Sequence, residues 1–69
     1  MRAVIAPADV RRYQSAVRWI AAHMAQRTRS PVELAACAEM VAALYRVNLL
    51  AVLTDVGAKC AELLGVSAA

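Results

Sequence analysis

One tetrapeptide, Ser30-Pro31-Val32-Glu33, constrains the fold more than any other feature of this chain. A Ser followed three residues later by Glu can close a capping box, each side chain satisfying a backbone amide at the start of a helix. Proline is favoured at the first helical position because its missing N–H would have no partner there. The tetrapeptide therefore starts one helix, and Thr28-Arg29-Ser30-Pro31 breaks the one before it. Punctuation is sparse elsewhere: Gly and Pro total four in 69 residues, and 62% of the chain is apolar. Low-complexity, collagen-like and disordered classes are excluded.

Upstream, Pro7, Ala8 and Asp9 open a first helix, with Asp9 placed to meet free amides and the positive dipole end. Val10, Tyr13, Val17, Ile20 and Met24 recur at 3-4-3-4 spacing, which predicts a core-facing stripe and a helix over residues 8–27. A second helix is predicted over 31–46, with Leu34, Cys37, Ala38, Val41, Leu44 and Tyr45 on one side. Its other sides are hardly polar, so it reads as buried on more than one face. The third, over 48–64, has Leu49, Val52, Leu53, Val56, Cys60, Leu63 and Leu64 on one face and Thr54, Asp55, Ala58 and Glu62 opposite. Asp55 and Lys59 stand in the favourable i, i+4 order. Gly65 is the stop, and 66–69 is expected to fray. No Gly or Pro lies between Val32 and Val56, so 32–64 as one long kinked arm of a hairpin is the alternative. The apolar stripe drifts by roughly 80° across Val47-Asn48 at 100° per residue, which favours a break there with Asn48 as cap. Val4-Ile5 forms a short extended arm ahead of Pro7.

The expected fold is thus all-α: a single small domain, 1–69, of three helices. Its core is thin. Seventeen of the apolar residues are alanine, and the larger ones (Val, Leu, Ile, Met, Trp and Tyr) number 24. In so short a chain, burial roughly cancels the entropy of ordering. With no disulfide-dense or metal-binding pattern to staple it, self-association is the remaining support, so a homodimeric helical bundle is expected, with Met40, Leu44 and Val47 at the contact.

Charge is uneven. Residues 1–30 carry six Arg against Asp9, for +5, and residues 31–69 carry −2. Such asymmetry suits an acidic partner, nucleic acid included, or attraction between the halves of a dimer. Seven Arg to one Lys with abundant Ala suggests a GC-rich bacterial or phage coding sequence. The apolar stretch of the first residues is too short for a signal peptide, and a span over Leu34 to Leu53 would bury Glu39 and Arg46 in hydrocarbon. The expectation is a cytoplasmic protein, with membrane insertion disfavoured.

Chemistry has few footholds. His23 is the only histidine, and no carboxylate or thiol lies within one helical turn of it, so neither a catalytic dyad nor a metal site is expected. Cys37 and Cys60, 23 positions apart, fit no zinc or redox spacing and read as reduced packing residues. No cofactor is implied. The informative surface is the outer side of the first helix, where Arg12, Trp19 and His23 lie opposite the core stripe, flanked by Arg11 and Arg18. Tryptophan and arginine are the residues interface hot spots favour. Trp19 has two placements open to it: exposed on that face, or sandwiched against the third helix or a second subunit. The function expected is a non-enzymatic protein-interaction module, a regulator, adaptor or inhibitor that binds a larger protein as a homodimer. A small basic nucleic-acid-binding regulator using the Arg-rich first helix is the alternative. It is disfavoured because Asp55 and Glu62 on the third helix repel phosphate.

Overall fold

The structure, a computed structural model, describes residues 5–65. Among them a 3₁₀ turn, Pro7–Asp9, leads into three helices: α1 (Val10–Gln26), α2 (Pro31–Tyr45) and α3 (Leu49–Leu64). The all-α, three-helix expectation holds, and the boundaries fall within two residues of those read from sequence. The radius of gyration, 11.7 Å, is close to the about 11 Å of a compact domain this long. Helix α1 packs on both others, most extensively on α3. The frayed tail expected at 66–69 and Val4 of the expected arm lie outside the described residues. Ile5 packs against the core.

The capping box forms as predicted: the Glu33 amide donates to Ser30 Oγ and the Ser30 amide to Glu33 Oε1, each at 3.2 Å. Asp9 departs from expectation, making no side-chain cap bond to α1. Its amide instead donates to the Ala6 carbonyl at 2.8 Å, closing the 3₁₀ turn.

The break between α2 and α3 has a local cause that no Gly or Pro announces. Arg46 adopts a left-handed conformation, φ 55°. Its amide and that of Val47 both turn back to the Ala42 carbonyl, the latter at 3.0 Å, as in a Schellman termination. Asn48 then caps α3, its side-chain oxygen accepting from the Leu50 amide at 2.8 Å. The end of α1 repeats the design with Arg27 at φ 55° and the Thr28 amide on the His23 carbonyl. Such a termination is anchored by an apolar residue just past the left-handed position. At the end of α2 that residue is Val47, only 5% exposed. Val47 is therefore spent inside its own chain, which corrects its assignment to a dimer contact.

The core is built from small and β-branched residues. Tyr13, Val17, Ile20 and Ala21 of α1 meet Leu34, Ala38 and Val41 of α2 and Val52, Val56 and Cys60 of α3. Cys37 packs at its edge, and both cysteines are free. The expected stripes run beyond this centre. Val10 and Met24 of α1, Leu44 of α2, and Leu49, Leu53, Leu63 and Leu64 of α3 are exposed. Each helix meets its neighbours over a narrower arc and a shorter length than its apolar pattern offers.

Candidate protein-interaction surface

Three residues of the expected outer face stand along one side of α1. At 100° per residue Arg12, Trp19 and His23 fall within about 40° of each other, centred about 110° round the helix from the buried Tyr13, Val17 and Ile20. Trp19 is 43% exposed, so it is not sandwiched against the third helix, and within this chain it belongs to the surface. Two groups lie against its indole. The His23 ring lies with its centroid 4.2 Å away, tilted by 55°, and the Arg29 guanidinium carbon sits 5.7 Å from the indole centroid, a cation–π distance.

His23 is also held by the turn that follows α1, its Nδ1 lying 2.5 Å from Thr28 Oγ1 in a hydrogen bond. Thr28 is the residue just past the left-handed Arg27, so this bond ties the histidine ring to the Schellman turn. The same turn brings Arg29 back over Trp19. Arg29 also approaches the Glu33 carboxylate at 3.8 Å. The Ser30 amide and then the Ser30 hydroxyl hold the Glu33 carboxyl below its ordinary value of 4.5; burial opposes them, and the Arg29 charge adds the smallest lowering effect. The result is an exposed indole held by a ring from its own helix and a guanidinium from the turn that follows it.

Arg11 and Arg18 do not share this face. They line a cleft of about 700 Å³ between α1 and α3, with Asp55, Lys59 and Glu62 on its far wall. Asp55 departs furthest from its expected role as a solvent-facing acid. The Tyr13 hydroxyl, buried in the core, donates to Asp55 Oδ2 at 2.5 Å and ties α1 to α3. Lys59, expected to pair back to Asp55, approaches Glu62 at 3.3 Å.

The expected dimer residues divide. Met40 and Leu44 are 71% and 73% exposed, whereas Val47 is in the core. Val32 and Ala36 are exposed as well, and with Met40 and Leu44 they recur every fourth residue. They form a continuous apolar ridge along α2, on the side turned away from α1 and α3.

Two contributors escaped the sequence reading. Arg29 was legible only as part of a helix break, since its approach to Trp19 depends on the tight turn between α1 and α2. Thr28 carries no signal apart from its place in that turn. Among the described residues no group of three or more His, Cys, Asp or Glu could hold a metal ion, and no helix is long and apolar enough to cross a membrane. No family model matches the chain, no curated protein matches it, and no solved structure matches it.

Proposed function

We propose that this chain is a non-enzymatic interaction module. It pairs with a second copy through Met40 and Leu44 and presents Arg12, Trp19 and His23 to a larger protein that it regulates, as an adaptor or inhibitor in the cytoplasm. The observation that carries this reading is the α2 ridge of Val32, Ala36, Met40 and Leu44, exposed throughout. A row of side chains at four-residue spacing is the ridge that interdigitates with its like when two helices cross at about −50°. A two-fold dimer brings the same ridge from each copy, so the surface is self-complementary without further design. Its small and flexible residues, Ala36 and Met40, permit close approach and adaptable packing.

Trp19 of α1 with His23 and Arg29 has the composition of a hot spot: a large amphipathic ring already contacted by its neighbours, so that little side-chain entropy is lost on contact.

The test is light scattering during size-exclusion chromatography, with absorbance at 260 and 280 nm recorded together. Expected is a mass of twice 7.4 kDa without nucleic acid, falling to a monomer in Met40→Lys/Leu44→Lys, whose far-ultraviolet circular dichroism stays helical. Trp19→Ala should keep both helicity and dimer while losing the larger partner. A wild-type monomer at all concentrations removes the dimer. Co-eluting nucleic acid, lost when Arg11, Arg12 and Arg18 are neutralised, would replace the protein partner with a phosphate backbone.

A further inference from the structure

A second groove, of about 620 Å³, runs between the C-terminal end of α1, the start of α2 and the middle of α3. Its floor is core: Leu34 and Val56 are buried and present only their edges. Its walls are Met24 and Leu53, both exposed although they belong to the apolar stripes of their helices. At one end stand Arg27 and Arg29. Arg27 pairs with no carboxylate among the described residues, and the one carboxylate near Arg29 among them is that of Glu33, at 3.8 Å and solvent-exposed, the guanidinium also lying over Trp19. An apolar trough closed at one end by two arginines is complementary to an apolar segment that carries negative charge.

We infer that this groove binds an acidic amphipathic helix of a partner protein, with apolar side chains one turn apart seated between Met24 and Leu53 and carboxylates facing Arg27 and Arg29. The inference rests on the reading of the chain as an interaction module and adds the chemistry of what it binds. The shape favours a helix. The trough is partly open to solvent, whereas sites for small apolar ligands enclose most of the ligand surface. A helix laid in such a trough anchors itself by i, i+3 and i+4 side chains and leaves its polar side in water. The basic end continues directly into the exposed Trp19, because Arg29 touches both the groove and the indole. The dimer ridge lies on the opposite side of α2, nearly half a turn from Leu34 and Ala38 at 100° per residue, so both surfaces can be occupied at once.

The experiment is fluorescence anisotropy of the full chain with two labelled model helices of about four turns each. Both carry leucines at i, i+4 and i+7 on one face. One has glutamates beside the leucines and the other lysines. The glutamate probe should bind at least tenfold more tightly at low salt, with a preference that shrinks as salt rises. Arg27→Glu with Arg29→Gln should abolish that preference, and Leu53→Ala should weaken the glutamate probe several-fold. Circular dichroism of each variant verifies that the helices persist. Equal binding of the two probes, or a preference untouched by the arginine changes, overturns the inference. So does binding indifferent to Leu53→Ala, or flotation with phosphatidylglycerol vesicles in place of peptide binding. Light scattering on the same samples separates the two readings: a monomeric wild type that keeps the glutamate preference removes only the dimer, and a dimer without the preference removes only the groove.

Discussion

The bond from Tyr13 to Asp55 allows a sharp test of how α1 and α3 are joined. Tyr13→Phe removes a single hydroxyl. The ring remains, only 4% exposed, and keeps its edge-to-face contact with Tyr45 at 5.8 Å and 85°, so no large cavity forms and the change removes what the hydroxyl contributes. Hydrogen bonds to charged groups contribute about 1.5–3 kcal/mol when buried. Asp55 is only half-buried, so the lower end, about 1.5 kcal/mol, is the expected loss. A domain of this size has a total stability of roughly 3–10 kcal/mol, and each kcal/mol moves its midpoint by about 4–8 °C. Tyr13→Phe should therefore melt about 6–12 °C below the wild type, followed by circular dichroism and checked by urea titration with an unchanged slope. Asp55→Asn and the double variant complete a cycle whose coupling energy should be about 1 kcal/mol. A Tyr13→Phe melt within a degree or two of wild type, or a coupling near zero, would show that the two helices are joined by apolar packing alone.

Three further outcomes test the helix ends. Ser30→Ala should cost about 1 kcal/mol by urea denaturation. Because the folded state lowers the Glu33 pKa, the stability that carboxylate supplies is fully present above pH 4.5 and lost as the pH falls below it; the gap between wild type and Glu33→Gln in thermal melts should narrow from pH 7 to pH 3, and a constant gap would refute the linkage. Arg46 holds a left-handed conformation at φ 55°, which costs a residue with a Cβ about 1 kcal/mol relative to glycine. Arg46→Gly should raise the stability read from urea titration by at most about 0.5 kcal/mol, because glycine's greater chain entropy offsets most of the relief, and a lowered stability would show that the arginine side chain contributes more than the strain removes.

The parts of this fold that were legible in sequence are those determined locally. Ser30 to Glu33 contains every atom of its capping box, and Gly65, at φ 72°, ends α3 where a glycine was needed. The break before Asn48 was legible by a subtler route: the apolar stripes on its two sides are out of phase, so one straight helix could not bury both. What lay hidden depends on how the helices cross. Tyr13 and Asp55 are 42 residues apart, and nothing near Asp55 distinguishes an acid that meets a buried phenol from one that faces water. Val47 looked like surface because it lies outside the main stripe of α2, a criterion that stops applying once the chain has left the helix. The pairing of Trp19 with Arg29 was hidden for the same reason as the burial of Val47, since each depends on a turn formed by a left-handed arginine in place of the expected glycine.

The distribution of leucines links the fold to the proposed function. Of seven leucines, only Leu34 is buried; the other six, Leu44, Leu49, Leu50, Leu53, Leu63 and Leu64, are exposed. The interior is filled instead by valine, alanine, one isoleucine and cysteine, around a tyrosine. Fully burying a leucine stabilises by about 1.5–3 kcal/mol relative to leaving it in water, so a chain arranged for its own stability alone would have them inside. Small interior residues let the three helices approach closely and keep the domain narrow, and they displace the larger apolar side chains to the outside. Those side chains then gain their burial free energy only when another surface covers them, whether a second copy on the α2 ridge or a partner helix against Leu53. On this reading the thin core and the apolar exterior are one feature: stability that the chain does not realise alone becomes affinity for what it binds. Substituting exposed leucines should therefore weaken association more than it weakens folding, whereas truncating Val52 or Val56, both almost wholly buried, should do the reverse.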